Sequence, residues 1–308
     1  MTSGVGFHTG ELAVQRQAGV EAEAARLAPM VGRGQLRAGM AAFLSEAPFA
    51  AMAARDRAGR LWTSPLFGPP GFLRAASPTA LEIGTELPRA DPLHDLPCGQ
   101  PVGVIAINFL TRRRVRINGR LGSTEPGALT VDVDQAYGNC PQYIHPRRVD
   151  VERPPADDPK RLHSGKALRA EDIRLIEAAD TFFLGTTHPT AGSDASHRGG
   201  PPGFVRVAEG RLWWPDYPGN NMFNSFGNLA ADPSAALLFV DFRAGITVQL
   251  SGRASVHWDD PGDAGTGRRV QFSPEWVITT AIPALGDTDH APYPANHRGR
   301  NGEPEFNN

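Results

Sequence analysis

The heptapeptide GPPGFLR at residues 68–74 recurs as GPPGFVR at residues 200–206, 132 positions further along the chain. A second pair of stretches, residues 102–120 and residues 235–253, aligns at an offset of 133, and both stretches end in Gly-Arg. Landmarks that repeat in the same order, with one residue of slip, are typical of an internal duplication. The chain is therefore predicted to contain two copies of one domain.

Both copies are rich in short apolar segments with the period of a strand. The segment ITVQL at residues 246–250 places its apolar residues on one face and Thr247 and Gln249 on the other. The segment at residues 236–240 is apolar throughout, as expected for a strand that is buried on both faces. With 34 glycines and 28 prolines between such segments, each copy is predicted to form a small closed or split barrel.

The predicted fold is mainly β: two tandem split β-barrels that form a pseudo-dimer, with a few helices that include N-terminal ones. Helices are expected at residues 11–27, 34–45 and 170–179 and after the loop that begins at residue 220. The predicted parts are an N-terminal helical segment at residues 1–46, a first split-barrel lobe at 47–155, a second split-barrel lobe at 156–285 and a polar tail at 286–308.

Charge and composition exclude several classes of protein. The 31 basic and 33 acidic residues give a net charge of −2, which provides no field to hold a nucleic acid. No apolar run approaches the ~20 residues that span a bilayer, and the N-terminus lacks the pattern of a signal peptide. Two cysteines, Cys98 and Cys140, cannot build a disulfide framework. We expect a soluble, cytoplasmic protein without nucleic-acid or membrane partners.

The two copies differ most at a candidate anion site. The second copy has Ser196, His197 and Arg198 before its Gly-Pro-Pro-Gly sequence, whereas the first copy has Pro65 and Leu66 in place of the histidine and arginine. A guanidinium fork beside a hydroxyl and a glycine pair can cradle a phosphate monoester, and proline and leucine cannot. We predict that only the second copy has an anion site. The alternative is an ordinary polar surface turn.

The amide-rich segment at residues 213–229 strengthens the prediction of a site in the second copy. A loop that leads into a helix offers free N–H groups to an anion, although ordinary helix capping explains one or two of its polar residues. Trp213, Trp214, Tyr217 and Phe223 could contact a flat ligand, although each alone is more typical of packing. The polar residues of this segment that we select are Asn220, Asn221, Asn224 and Ser225.

Two features of the first copy are weaker candidates. Cys140 precedes Pro141, which favours a short helix whose N-terminus would lower the pKa of the thiol. Because no general base can be identified, a structural thiol is the preferred interpretation. The arginine run at residues 112–114, with Arg116, is expected to be a solvated or ion-paired rim, with a smaller weight for contact with a ligand phosphate across the pseudo-twofold.

Familiar catalytic and metal-binding motifs are missing from the sequence. The nine histidines show no metal-ligand spacing, and we predict no metal site. We find no nucleophile elbow, P-loop or dinucleotide-binding glycine motif either.

Several strings together resemble the pyridoxamine 5′-phosphate oxidase-like, flavin-binding split-barrel family, and in particular its long, two-lobed members. In the second lobe they are DASHRGGPPGF at 194–204, WPDYPGNN at 214–221, GNL at 227–229 and LSGRA at 250–254. In the first lobe they are HTGELAVQ at 8–15 and YGNCPQYI at 137–144.

The resemblance implies that FMN lies in a groove between two barrels. In single-barrel members two chains form this groove, and here the two lobes could form it within one chain. The implied phosphate or ribityl contacts are Ser196, Arg198, Asn220, Asn221, Asn224 and Ser225. Thr247 and Gln249 carry over as contacts to the edge of the ring, and His197 and Tyr217 complete the candidate set.

This sequence departs from the oxidase itself at charged positions. The oxidase has lysines near the phosphate where this chain has Gly203 and Ser225, and the only lysines here are Lys160 and Lys166. The substrate-binding arginines of the oxidase have no convincing match in the tail at residues 286–308. Oxidation of vitamin B6 is therefore not expected. We expect an FMN-binding oxidoreductase that acts on an unidentified small molecule with a nicotinamide donor, NADH or NADPH, or with oxygen.

Three alternatives remain open at this point. Haem could bind the same barrel through His197 or His145 as axial ligand. The chain could bind a flavin nucleotide without turning it over, and a deazaflavin could replace FMN. A homodimer is also compatible with the sequence.

Overall fold

The computed structural model describes residues 6–32, 34–125, 127–149, 151, 158–260 and 266–285. Its N-terminal part is helical: α1 (Thr9–Gln17), α2 (Glu21–Ala25), a 3₁₀ turn (Ala28–Val31) and α3 (Ala38–Glu46). The single helix predicted over residues 11–27 is thus two helices. Gly19 separates them with φ +70°, a left-handed conformation that glycine adopts readily. The predicted tail at residues 286–308 lies outside the described residues.

Seven strands form the first sheet, which we call the first lobe. They are β1 (Phe49–Arg55), β2 (Leu61–Phe67), β3 (Leu73–Ser77), β4 (Ala80–Ile83), β5 (Pro101–Asn108), β6 (Arg113–Glu125) and β7 (Ala128–Gly138). Their order across the sheet is β2-β1-β5-β6-β7-β4-β3, and all neighbours are antiparallel.

The second lobe contains eight strands and two helices. They are β8 (Lys160–Gly165), α4 (Ala170–Ala178), β9 (Thr181–His188), β10 (Gly192–Gly199), β11 (Arg206–Ala208), β12 (Arg211–Pro215), α5 (Asn224–Ala231), β13 (Ser234–Asp241), β14 (Ile246–His257) and β15 (Arg269–Ala281). The sheet order is β10-β9-β13-β14-β15-β12-β11, and β8 pairs with the other side of β15.

The two sheets have the same strand order, and their registers correspond. Ile105 of β5 faces Arg116 of β6, and 133 residues later Leu238 of β13 faces Gln249 of β14. The predicted mainly β fold of two tandem split barrels with N-terminal helices is confirmed.

The inner strands are apolar on both faces because they separate two cores. In β13, Leu237 and Phe239 pack into the core of the second lobe, whereas Leu238 and Val240 pack into a core shared by the lobes. The strand β1 divides its residues between the core of the first lobe and the same shared core. The strand that contains the continuous apolar run at residues 236–240 is therefore buried on both faces, as the sequence predicted.

Two elements differ from the sequence-based prediction. The segment containing Ser196 and Arg198 lies in β10, so the alternative of a polar surface turn does not hold. The strand β15 was not anticipated, because Pro274 interrupts its pattern. The pairing with β14 shifts register between Ser251 and Gly252, and the residue of β15 that is left without a partner there is Glu275, next to this proline.

None of the helices in the described part of the chain combines the length and the apolar character that crossing a bilayer requires.

Candidate functional site

A pocket opens between the two lobes beside β10, which is the edge strand of its sheet. The loop that follows β7 and the strand β6 line it from the first lobe, and β10, the β12–α5 segment and Arg268 line it from the second. Because both lobes contribute walls, the pocket exists only in the assembled chain. We refer to it below as the inter-lobe pocket.

Eight of the ten predicted cofactor contacts line this pocket. They are Ser196, His197, Arg198, Tyr217, Asn220, Asn221, Asn224 and Ser225. Residues from three separate parts of the second lobe thus meet in one place, and their roles toward a ligand stay predictions.

The start of α5 presents hydrogen-bond donors to the pocket. Its N-cap residue, Phe223, has φ +56° and makes no side-chain cap, so the N–H groups of the first turn lack a side-chain acceptor. The hydroxyls of Ser196 and Ser225 lie 3.3 Å apart. The amide oxygen of Asn220 accepts from the backbone N–H of Met222 and shapes the loop before the helix. Hydroxyls and an uncapped helix start form a setting that suits an anion.

Two arginines of the second lobe share one carboxylate in the pocket. Arg268 donates from Nε to Oδ2 of Asp216 at 2.9 Å, whereas Nη1 of Arg198 lies 3.8 Å from Oδ1. The Nε atom of Arg198 is buried and has no hydrogen-bond partner. Arg198 is therefore only partly neutralised, and burial lowers its pKa.

Arg114 and Arg116 reach the same pocket from β6 of the first lobe. Arg116 donates from Nη1 to Oδ1 of Asn224 at 3.1 Å and lies 3.2 Å from Oδ1 of Asp194. Burial opposes its charge, but Asp194 raises the pKa of Arg116 above the ordinary value. Arg114 has no carboxylate within ion-pair distance among the described residues, and burial lowers its pKa to about 10.

His197 is a hydrogen-bond partner of Arg114. Nη1 of Arg114 donates to Nδ1 of His197 at 2.7 Å, and Nε2 lies 3.4 Å from the hydroxyl of Thr181. Burial, followed by the charge of Arg114, holds the pKa of His197 well below its usual range. The imidazole is therefore neutral, with its proton assigned to Nε2 because Nδ1 accepts.

Aromatic rings form one wall of the pocket. Tyr143 of the first lobe stacks on Tyr217 of the second, with 5.1 Å between the ring centroids and 18° between the planes. The hydroxyl of Tyr143 donates to the carbonyl of Pro218 at 3.1 Å. Cys140, on the same loop as Tyr143, is exposed and lines the pocket, but no helix forms at Pro141.

Thr247 and Gln249 are not brought to the inter-lobe pocket. Gln249 instead donates from Nε2 to the carbonyl of Thr63, the hydroxyl of Ser64 and Oδ2 of Asp91, at distances between 3.0 and 3.1 Å. The hydroxyl of Thr247 donates to a carbonyl of the adjacent strand β15. Both residues face the first lobe, at the position that corresponds to the inter-lobe pocket by the pseudo-twofold.

This corresponding position, the sister cleft, is filled by the chain itself. Oδ1 of Asp91 accepts from the hydroxyl of Ser64 at 2.6 Å and from the backbone N–H of Leu93 at 2.7 Å. Asp91 is buried, and burial raises its pKa to about 6. The carboxyl group of Asp91 therefore contacts Ser64, the counterpart of Ser196, where the inter-lobe pocket is open.

Four residues that line the pocket were not selected from the sequence. They are Arg114, Arg116, Tyr143 and Arg268. The signal for the first two was present: an offset of 133 places Arg114 and Arg116 at the positions of Thr247 and Gln249. In a pseudo-twofold arrangement, each pocket takes some of its contacts from the opposite lobe. The ring contacts that the resemblance implies for this pocket therefore correspond to Arg114 and Arg116 of the first lobe.

A buried carboxyl group lies behind the pocket. Oε1 of Glu11, in α1, accepts from Nδ2 of Asn224, and Oε2 accepts from the backbone N–H of His8 at 2.7 Å. Burial raises the pKa of Glu11 to about 7 and also raises the pKa of Asp194. Among the described residues, no three His, Cys, Asp or Glu side chains are grouped so that they could hold a metal ion.

Comparisons with known proteins find one family model that is similar to the second lobe. The family model described as pyridoxamine 5′-phosphate oxidase matches residues 168–285. Among the curated proteins, none gives a significant match.

Solved structures that are similar to this chain each cover less than half of it. A candidate pyridoxamine 5′-phosphate oxidase from Lactobacillus delbrueckii is 18% identical, with 38% of this chain and 98% of that chain covered and a TM-score of 0.32. An FAD-binding protein from Mesorhizobium loti is 12% identical, with 38% and 96% covered and a TM-score of 0.28. A protein related to general stress protein 26 from Clostridium acetobutylicum is 16% identical, with 39% and 92% covered and a TM-score of 0.28.

The match to the family model covers β9 to β15. It therefore includes β10, α5 and the other second-lobe walls of the pocket. The resemblance that the sequence indicated is confirmed over residues 168–285, where the chain matches the model of the pyridoxamine 5′-phosphate oxidase family.

Proposed function

We propose that the chain binds FMN in the inter-lobe pocket and uses it as an oxidoreductase on a small molecule. The observation that carries the proposal is a surplus of positive charge. Arg114 has no carboxylate partner among the described residues, and Arg198 shares Asp216 with Arg268 across a longer distance. A buried guanidinium without a counter-ion is costly, and the dianionic phosphate of FMN would neutralise two of them.

The polar groups of the pocket support a phosphate in particular. The Nε atoms of Arg114, Arg116 and Arg198 are buried and unpartnered, and guanidinium forks match phosphate oxygens. The hydroxyls of Ser196 and Ser225 add two further donors beside the uncapped start of α5. Arginines from the first lobe thus supply the charge that the missing lysines would otherwise provide.

The remaining walls suit a flat cofactor with a polar chain. Tyr143 and Tyr217 offer aromatic surface, and Asn220 and Asn221 offer amides near the phosphate groups. FMN supplies hydride and electron chemistry when bound, so the protein's own residues need to hold it, orient it and shield it from water. The lack of a catalytic triad in the sequence is compatible with this role.

The haem alternative receives no support from His197. Its Nδ1 atom accepts from Arg114 and its Nε2 atom faces Thr181, so neither nitrogen is directed at a ligand. His145 is buried and does not line the pocket. A deazaflavin carries the same kind of phosphate group, and a bound flavin without turnover would use the same contacts.

The purified protein tests the proposal directly. It should be yellow and release FMN on denaturation, with the released cofactor identified by absorbance and mass. The apoprotein should bind FMN at micromolar concentration and riboflavin, which lacks the phosphate, far more weakly. A colourless protein that binds neither compound would end the proposal, and a deazaflavin mass or a Soret band would replace FMN with that cofactor.

Arg198→Leu copies the first lobe, where Leu66 stands at the equivalent position, and provides the site-specific test. We expect FMN affinity to fall by about 1–3 kcal/mol, whereas riboflavin affinity stays the same. Arg211→Leu, at an exposed position of β12, is the matched control. An unchanged FMN affinity in Arg198→Leu would remove this residue from the site. Turnover of NADH or NADPH with a range of acceptors then separates an oxidoreductase from a non-catalytic binder.

Internal duplication, a cytoplasmic location and the use of NADH or NADPH stay predictions from the sequence.

A further inference from the structure

Two carboxyl groups behind the inter-lobe pocket share a single guanidinium. Glu11 and Asp194 are both buried, and neither lines the pocket. Between them lie Arg116, which is 3.2 Å from Asp194, and Asn224, whose amide nitrogen donates to Glu11. Arg116 donates to the amide oxygen of Asn224 at 3.1 Å. Asn224 therefore links the carboxyl of Glu11 to a guanidinium that does line the pocket.

The packing of two helices holds Glu11 in this position. A Cβ atom on Gly227 of α5 would lie 2.5 Å from the backbone nitrogen of Glu11, and one on Gly10 of α1 would lie 2.3 Å from the carbonyl oxygen of Gly227. Only glycine allows this approach. A capping box between His8 and Glu11 orients the carboxyl group further. The backbone of Glu11 is therefore held against α5, and its carboxyl group is held by the capping box and by Asn224.

The two carboxyl groups, Glu11 and Asp194, carry more negative charge than the single guanidinium of Arg116 can neutralise when both are ionised. Asp194 has the direct ion pair with Arg116 and also accepts from Nδ2 of Asn118 at 3.2 Å. Glu11 has only neutral partners, so a proton resides on Glu11 more readily than on Asp194. Burial accordingly raises the pKa of Glu11 to about 7.

Two histidines and a tyrosine near Glu11 are neutral at pH 7. Burial lowers the pKa of His8 to about 4 and lowers that of His188, whose ring centroid lies 4.2 Å from that of His8. Burial raises the pKa of Tyr137, whose hydroxyl accepts from Arg116. Glu11 is thus the group of this cluster that titrates near neutral pH.

We propose that Glu11 is a proton-binding positioning residue of the phosphate site, and that its carboxylate, where it is ionised, takes up a proton from solvent when a phosphate-bearing ligand enters the pocket. This proposal rests on the function proposed above. The reason is electrostatic: the ligand brings negative charge to Arg116 and Asn224, which weakens the attraction that stabilises an ionised Glu11. Protonation of Glu11 removes the repulsion between its carboxylate and the negative charge of the ligand, and α1 and α5 stay packed.

Calorimetric titration of the apoprotein with FMN, in two buffers of different ionisation enthalpy, measures this proton. At pH 7.5, where the FMN phosphate is almost fully dianionic because its second pKa is near ~6, we expect uptake of about 0.3–0.7 proton per FMN. By the same linkage, Kd should increase with pH from 7 to 8.5, by up to about tenfold per unit.

Glu11→Gln keeps the size of the side chain and removes the titration. We expect this variant to take up no proton at this step and to have a Kd that is independent of pH over the same range, with a folded state verified by thermal unfolding. Glu23→Gln, on the exposed face of α2, should behave like the wild-type protein. Equal proton uptake in Glu11→Gln and the wild-type protein would overturn the proposal, and so would zero uptake in the wild-type protein.

A failure of the proposed function gives a different result. If the wild-type protein binds no FMN, the same pair of titrations with inorganic sulfate, which has no ionisation near neutral pH, tests Glu11 alone. Uptake that is lost in Glu11→Gln would support the role of Glu11 at an anion site. No sulfate-linked uptake, or no sulfate binding, would overturn it.

Discussion

Arg116 and Gln249 occupy equivalent positions in the two sheets, but their side chains have different surroundings. Arg116 reaches across the pseudo-twofold to Asn224 at the start of α5 and lines the inter-lobe pocket. Gln249 reaches across in the other direction and donates to Asp91, which fills the sister cleft. The two equivalent positions therefore differ, since one is an open pocket and Asp91 occupies the other, and we expect one cofactor for each chain.

Arg114→Thr tests whether the first lobe supplies part of the phosphate site, because it copies Thr247 at the equivalent position. We expect FMN affinity to fall by about 1–3 kcal/mol, since a buried charged donor is lost, whereas riboflavin affinity changes little. Equilibrium titration followed by flavin fluorescence measures both values. Arg113→Thr, at an exposed position of the same strand, is the control. Equal losses for FMN and riboflavin would instead place Arg114 beside the ring.

Asp91→Asn tests the carboxyl group that fills the sister cleft. Burial raises the pKa of Asp91 from 3.8 to about 6, so the folded state holds this proton more tightly than the unfolded state. The Asp91 contribution therefore favours folding at low pH and is lost as the pH rises from about 4 to 6. Relative to Asp91→Asn, the wild-type free energy of unfolding should fall by roughly 1–3 kcal/mol across this range.

Urea unfolding at several pH values measures this difference. Asp95→Asn, an exposed position in the same segment, is the control and should show no such fall, because Arg57 lowers the pKa of Asp95. Parallel stability curves for the wild-type protein and Asp91→Asn would contradict the assignment of a raised pKa to Asp91.

Gly227→Ala tests the close approach of α1 and α5. The added Cβ atom would lie 2.5 Å from the backbone of Glu11, so we expect a loss of about 2 kcal/mol or more in the free energy of unfolding. FMN affinity should also fall, because Asn224 loses its contact with Glu11. Gly39→Ala in α3 is the control, since nothing lies within 4 Å of its added Cβ atom. This control should stabilise the protein by roughly 0.5–1 kcal/mol, and a neutral Gly227→Ala would disprove the tight packing.

Alkylation of the two cysteines maps the pocket without mutation. Cys140 and Cys98 are both exposed, but only Cys140 lines the inter-lobe pocket. We expect bound FMN to slow the reaction of N-ethylmaleimide with Cys140 severalfold, and to leave the reaction of Cys98 unchanged. Mass spectrometry of the labelled peptides measures both rates in one sample, so Cys98 serves as the internal control. Equal rates at Cys140 with and without FMN would show that the ligand binds elsewhere.

Much of the fold could be predicted because strand patterns are local. The alternation at residues 246–250 and the apolar run at 236–240 indicate one-sided and two-sided burial, and both occur in β14 and β13. The strand β15 escaped prediction because Pro274 breaks its pattern, and a register shift beside this proline, at Glu275, explains how the strand pairs with β14. The polar residues of β10 mask the period of two, so the residue pattern alone left a polar surface turn open as an alternative there.

The sequence by itself determined that two similar β-rich lobes follow one another, and it predicted a candidate anion site in the second. Only the tertiary structure decided which residues complete the pocket. Arg114, Arg116 and Tyr143 come from the opposite lobe, Glu11 from the first helix, and Asp91 blocks the sister cleft. The physical reason is that strand periodicity is set by neighbouring residues, whereas contacts across a pseudo-twofold join residues ~100 positions apart and leave no local pattern.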